Sequence, residues 1–72
     1  MNFIDDEVKV DFPVPKIVKT IMDKCEEYDR EDDYGSYEPY TSHLTAVLCK
    51  NLCADGVLTS KQWHTIERRY LL

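Results

Sequence analysis

Residues 52–63, LCADGVLTSKQW, contain the end of one helix and the start of the next. Gly56 can supply the left-handed backbone conformation that commonly closes a helix. Thr59 and Gln62 have the spacing of a capping box, and an apolar residue flanks the box on each side as a hydrophobic staple. The stretch therefore predicts two helices that are joined by a turn of about three residues and form an angled helical pair.

Apolar side chains recur at three- and four-residue steps on both sides of this turn, and again in a segment closer to the N-terminus. We expect three helices, over residues 15–30, 42–55 and 60–72. Pro15 suits the first position of the first helix, and Thr41 or Ser42 can cap the second. The buried stripe of the second helix is expected to consist of Leu44, Val47, Leu48 and Leu52.

Residues 1–12 alternate apolar and charged side chains near their end, which is the period of a half-buried strand. A single strand without a partner is not stable, so we expect an extended arm that lies across the helices. The predicted fold class is all-α. It is a single small three-helix domain over residues 1–72, with this arm and an acidic, tyrosine-rich loop between helices 1 and 2.

The length and charge of the chain limit its function. A chain of 72 residues buries only roughly 60% of the surface that its unfolded form exposes, so a deep substrate cavity is hard to build and we expect no enzyme. The net charge of −5 argues against non-specific binding to nucleic acid or to an anionic membrane. The sequence shows neither a long apolar run nor the pattern of a signal peptide, so we expect a cytoplasmic protein.

The sequence also gives no support for a metal or a cofactor. The chain has an odd number of cysteines (Cys25, Cys49 and Cys53) and no export signal, which is typical of reduced thiols in a core. No C-x-x-C pair occurs among them, which argues against a zinc site. The segment from Asn51 to Gln62 has a glycine at the sixth position of a calcium-binding loop. Its twelfth position, Gln62, cannot supply the required bidentate carboxylate. We therefore expect no metal, no cofactor and no catalytic residue.

Residues 26–40, EEYDREDDYGSYEPY, hold seven of the 14 acidic residues and four of the five tyrosines, with one arginine. The part from Asp32 to Tyr40 contains glycine, serine and proline, which predicts a loop. Tyrosine offers a large rigid contact area, and carboxylates among aromatic rings can bind arginines by ion pairing and cation–π contact. The predicted partner-binding surface consists of Asp29, Glu31, Asp32, Asp33, Tyr34, Tyr37, Glu38 and Tyr40.

The composition of this surface indicates that the chain is a small non-enzymatic protein that binds the basic surface of another protein. In its sharpest form the chain imitates nucleic acid and inhibits a nucleic-acid-handling protein, in the manner of phage or mobile-element counter-defence proteins.

Three alternatives remain open. The first is a helix-turn-helix-like DNA-binding regulator, although the acidic segment would repel a duplex. Its nucleic-acid-binding residues would be Lys61, His64, Arg68 and Arg69. The second is a structural oligomeric subunit, such as a homodimer, with contacts through Val8, Val10, Phe12, Leu71 and Leu72. The third is that the acidic stretch is only a solvated helix end and loop.

Overall fold

The computed structural model describes residues 3–71, and 68% of it is helical. Three helices and no strand are present in this part of the chain, which confirms the all-α, three-helix class. Helix α1 is Lys16–Arg30, helix α2 covers residues 34–54, and helix α3 is Ser60–Tyr70. Within α2, a π-helical turn, Leu44–Leu48, separates two α-helical parts, Tyr34–His43 and Cys49–Ala54. None of the helices in the described part has the length and apolar character needed to cross a membrane.

The predicted acidic loop is wrong, because most of that segment is the first part of α2. The helix begins at Tyr34 rather than at residue 42, and only residues 31–33 connect it to α1. Asp33 is its cap: the carboxylate accepts a hydrogen bond from the Ser36 N–H at 3.1 Å. Pro39 lies inside the helix and cannot donate a backbone hydrogen bond to the first turn. The Asp33 cap and the burial of Tyr37 compensate for this loss.

The π-helical turn, Leu44–Leu48, joins the two α-helical parts of α2. The Cys49 N–H donates to the carbonyl five residues earlier, and the Trp63 indole N–H donates to the carbonyl of Thr45 at 2.8 Å. The extra residue in such a turn rotates the following part of the helix. In this part of α2, Thr45 and Cys49 are buried, whereas Val47 is exposed. The predicted stripe was therefore wrong at Val47.

The turn between α2 and α3 agrees with the sequence prediction. Gly56 has a φ of 77°, and the Val57 N–H donates to the carbonyl of Leu52 at 2.9 Å, as in a Schellman motif. Thr59 and Gln62 form both hydrogen bonds of a capping box. The amide of Gln62 is thus used to cap α3. At this position α2 ends in a Schellman motif, and α3 begins with a capping box.

Residues 3–15 have no regular secondary structure and lie against the helices, as expected for an arm. Phe3 and Ile4 are buried in the core, and the Asp5 N–H donates to the carbonyl of Arg69 at 2.9 Å. The Val8 N–H donates back to the carbonyl of Asp5, so the arm makes a tight turn before it reaches α1. Residues 1 and 2 of the predicted arm lie outside the described residues.

The core lies where the three helices and the N-terminal segment meet. Its buried apolar side chains come from every one of these elements, so none of them can be removed without opening the core. They are Phe3, Ile4, Val18, Met22, Cys25, Tyr37, Leu44, Cys49, Leu58, Ile66 and Tyr70.

Candidate partner-binding surface

The first two acids of the acidic stretch are paired with cations of the same chain. Glu26 accepts hydrogen bonds from the guanidinium of Arg69 at 3.0 Å and from the hydroxyl of Tyr70 at 2.6 Å. Glu27 lies 3.5 Å from the ammonium of Lys24, one turn earlier on α1. Glu26 and Glu27 therefore contribute little free charge to a binding surface.

Two further acids hold backbone groups in place. The carboxylate of Asp29 accepts a hydrogen bond from the N–H of Phe3, which fixes the N-terminal segment against the end of α1. Asp33 is the cap of α2. Both side chains remain half-exposed, so their charge is still present at the surface. Their first role, however, is structural.

The remaining acids of the stretch are exposed around the connection between α1 and α2. Glu31 and Asp32 lie in that connection, and Glu38 lies one turn into α2. Tyr34, 47% exposed, is four residues before Glu38 and so shares a helix face with it. We call the group formed by Glu31, Asp32, Tyr34 and Glu38 the acidic edge. It is the part of the predicted surface that the fold exposes together.

The three tyrosines of the predicted surface lie in three different environments. Tyr34 is exposed in the acidic edge, Tyr37 is buried in the core, and Tyr40 packs against α1. Tyr37 is only 1% exposed, its ring lies 5.1 Å from that of Phe3, and its hydroxyl donates to the carbonyl of Tyr70. The prediction that it contacts a partner is therefore corrected: it is a core residue. Tyr40 packs against Tyr28 of α1, with ring centroids 5.3 Å apart.

Tyr34 and Tyr40 point to opposite flanks of α2. They are six positions apart, which is about 240° of rotation around an α-helix. One large surface with eight residues, as the sequence predicted, is therefore not present. Tyr40 and Tyr37 both lie outside the acidic edge.

The charge of the region remains strongly negative despite these contacts. Residues 29–40 hold five carboxylates and one guanidinium, a formal charge of −4 out of −5 for the whole chain. The single arginine, Arg30, is exposed in the last turn of α1. A charge of this density on a small surface attracts cationic groups over about one Debye length, roughly 8–10 Å.

Most of the predicted basic residues lie on the outer face of α3. Lys61, His64 and Arg68 are exposed, and they recur at three- and four-residue steps along the helix. The imidazole of His64 contacts the carboxylate of Glu67 at 2.9 Å, which places a negative charge within the row.

Arg69 does not belong to this basic face. Its side chain is 14% exposed and forms an ion pair with Glu26, and its guanidinium also donates to the carbonyl of Val8 at 2.8 Å. The prediction that Arg69 binds nucleic acid is therefore not supported by its position. Together with Tyr70 it joins α3 to α1 and to the N-terminal segment. Sequence reasoning missed this network, because Glu26 and Arg69 are 43 positions apart and no local pattern connects them.

The residues predicted for self-association are partly used within the chain. Val10 and Phe12 pack against the core of their own chain, and Val8 is half-buried. Leu71 is exposed beside the end of α3. Leu72 lies outside the described residues.

The cysteines are free thiols in apolar surroundings. Burial raises the pKa of Cys49 to about 11 and also raises the pKa of Cys25, whose sulfur lies 3.5 Å from the hydroxyl of Thr41. Cys53 is half-buried and contacts Ser60 at 3.6 Å. Across residues 3–71, no three histidine, cysteine or acidic side chains are grouped so that they could hold a metal ion.

Comparison of the chain with protein-family models, with curated proteins and with solved structures finds no significant match.

Proposed function

We propose that this chain is a small, cytosolic, non-enzymatic binding protein that docks its acidic edge on a basic surface of a partner protein. The observation that carries the proposal is the exposure of Glu31, Asp32, Tyr34 and Glu38 around one helix connection. Electrostatic complementarity of this kind steers association and selects against partners of like charge.

The way in which the region is anchored favours binding over the alternative of a solvated loop. The acidic edge is attached to ordered elements: Asp33 caps α2, Asp29 binds the backbone of Phe3, and Tyr37 is buried beneath it. The backbone that carries the exposed side chains is thus anchored before a partner arrives. Preorganisation reduces the entropic cost of binding, whereas a loop that only keeps the protein in solution needs no such anchors.

The sharpest form of the proposal is that the acidic edge imitates a nucleic acid. Carboxylates would take the positions of phosphates and Tyr34 that of a base, and the partner would be a nucleic-acid-handling protein that the chain inhibits. In this form of the proposal, the chain is a counter-defence protein of a phage or a mobile element. Duplex DNA or heparin should then compete with the chain for the partner.

The test uses two variants that carry the same change in net charge. The surface variant is Glu31→Lys, Asp32→Asn and Glu38→Lys. The control variant is Glu7→Lys, Asp11→Lys and Asp55→Asn, at exposed positions away from the acidic edge. Asn is chosen at position 32 because the residue there has a φ of 55°, which asparagine tolerates. Asp29 and Asp33 are left unchanged because they hold the fold.

The wild-type chain and both variants are immobilised and exposed to a lysate of the native host's cells. We expect a basic protein to be retained by the wild type and by the control variant, but not by the surface variant. Equal retention by the two variants would contradict the proposal. Retention that duplex DNA does not reduce would refute nucleic-acid mimicry while leaving partner binding in place.

A DNA-binding regulator is the second candidate, since Lys61, His64 and Arg68 share the exposed face of α3. It predicts that the chain retards duplex DNA in a gel at low salt and that added salt releases it. The acidic-edge proposal predicts no retardation at either salt concentration.

A further inference from the structure

A small pocket lies directly beside the acidic edge, between α2 and the end of α3. Its volume is about 130 Å³. Its exposed lining residues are Tyr34, Glu38, Ser42 and Leu71, and the buried rings of Tyr37 and Tyr70 also line it. The pocket thus combines a largely aromatic inner wall with a carboxylate and the half-exposed ring of Tyr34, which packs edge-on against Phe3, at its mouth.

The carboxylate at the mouth has room for a further partner. Glu38 accepts a hydrogen bond from the Ser42 hydroxyl at 3.0 Å through its Oε1 atom. No lysine, arginine or histidine among residues 3–71 forms an ion pair with it. This distinguishes Glu38 from Glu26 and Glu27, whose charges are balanced within the chain.

We infer that this pocket receives an arginine side chain of the partner. The inference rests on the proposed function and names the group that the acidic edge recognises. The guanidinium would stack on the ring of Tyr34 and donate to Glu38, while the aliphatic stem of the arginine packs against the inner wall.

Arginine fits better than the other charged groups. A phosphate or carboxylate would be repelled by Glu38. The lysine ammonium is a compact, strongly hydrated charge, so it gains less from an aromatic face than the planar guanidinium does. The pocket therefore selects arginine over lysine.

The test is an NMR titration of the full chain with N-acetyl-arginine methylamide, and separately with the lysine analogue. We expect saturable shifts at the Tyr34 ring and the Leu71 amide, and weaker binding of the lysine analogue. Glu38→Gln should weaken binding of the arginine analogue about tenfold, the loss expected for one charge-assisted hydrogen bond. Glu31→Gln, which removes the same charge outside the pocket, should change binding less than twofold.

Variants of the tyrosines separate a binding role from a structural one. Tyr34→Phe keeps the ring and should bind like the wild type, whereas Tyr34→Leu should lose binding while its circular dichroism stays helical. Tyr40→Leu is the matched control on the opposite flank of α2 and should bind normally. Equal affinity for both analogues, or equal effects of Glu38→Gln and Glu31→Gln, would overturn the inference.

The inference and the proposed function can fail separately. If Glu38→Gln and Tyr34→Leu still capture the partner while the surface variant does not, the arginine pocket is refuted and the acidic edge remains the interface. If the surface variant also captures the partner, both are refuted.

Discussion

Glu26→Gln should destabilise the fold strongly, although Glu26 belongs to the same acidic run as the exposed residues. Its carboxylate accepts hydrogen bonds from the Tyr70 hydroxyl at 2.6 Å and from the Arg69 guanidinium at 3.0 Å. Glutamine keeps the shape of the side chain but removes the charge. The guanidinium, which is 14% exposed, would then stay in place without its counter-ion.

The expected loss is about 2 kcal/mol. A hydrogen bond to a charged group contributes about 1.5–3 kcal/mol. Breaking a fully buried ion pair costs about 3–5 kcal/mol, and the cost here is smaller because the Glu26 side chain is 31% exposed. A domain of this size has a free energy of unfolding of roughly 4–10 kcal/mol, so the variant should lose a substantial part of its stability.

The assay is urea unfolding followed by Trp63 fluorescence and by circular dichroism at the helical band. With a denaturant slope of about 1 kcal/mol per molar urea for a small domain, the midpoint should fall by about 2 M. Glu27→Gln is the matched control, because its side chain is 43% exposed and lies 3.5 Å from Lys24. Its midpoint should stay close to that of the wild type. Equal midpoints for the two variants would refute the assignment of Glu26 to the structural network.

Three further predictions concern the fold. Trp63→Phe should lower the free energy of unfolding by about 1–2 kcal/mol, because the carbonyl of Thr45 loses its indole donor; a urea midpoint by circular dichroism equal to that of the wild type would contradict this. Gly56→Ala should lower the free energy of unfolding by about 1 kcal/mol because of the φ of 77° alone, since an added Cβ meets no atom within 4 Å. The melting temperature of Gly56→Asn should lie between those of the wild type and Gly56→Ala. Stability should also fall at alkaline pH. Burial raises the pKa of Cys49 from 9.0 to about 11 and that of Tyr37 from 10.0 to about 12. Between pH 9 and 12 the unfolded chain therefore releases protons that the folded chain retains, and each group removes about 1.4 kcal/mol per pH unit within its own interval. Urea midpoints that stay constant from pH 8 to pH 11 would contradict this sign.

Local signals predicted the α2–α3 turn well because its chemistry is contained in a few neighbouring residues. Gly56 closes one helix, and Thr59 with Gln62 opens the next, through hydrogen bonds that span no more than six positions. The apolar period was likewise sufficient to locate α1 to within one residue of its start.

The start of α2 was missed because competing local signals pointed to a loop. Gly35 and Pro39 are typical of turns, and they outweighed the apolar spacing. A signal was nevertheless present: Tyr37, Thr41 and Leu44 continue the buried stripe of α2 toward the N-terminus at four- and three-residue steps, and all three are buried. Tertiary burial of Tyr37 thus overrides the loop tendency of its neighbours.

The candidate site was predictable in charge but not in shape. The composition of residues 26–40 identified where negative charge is concentrated. Which carboxylates stay exposed depends on contacts between residues distant in sequence, such as Glu26 with Arg69 and Asp29 with Phe3. The spacing of apolar and charged residues along the chain does not reveal such contacts.

Mapping the bound surface tests the central claim most directly. Backbone amide shifts of the isotope-labelled chain would be compared before and after addition of the partner captured by the wild type. The acidic-edge proposal predicts that the changes centre on residues 31–42 and on Leu71, with little effect along the outer face of α3. Changes centred on residues 61–68, with residues 31–42 unaffected, would contradict it.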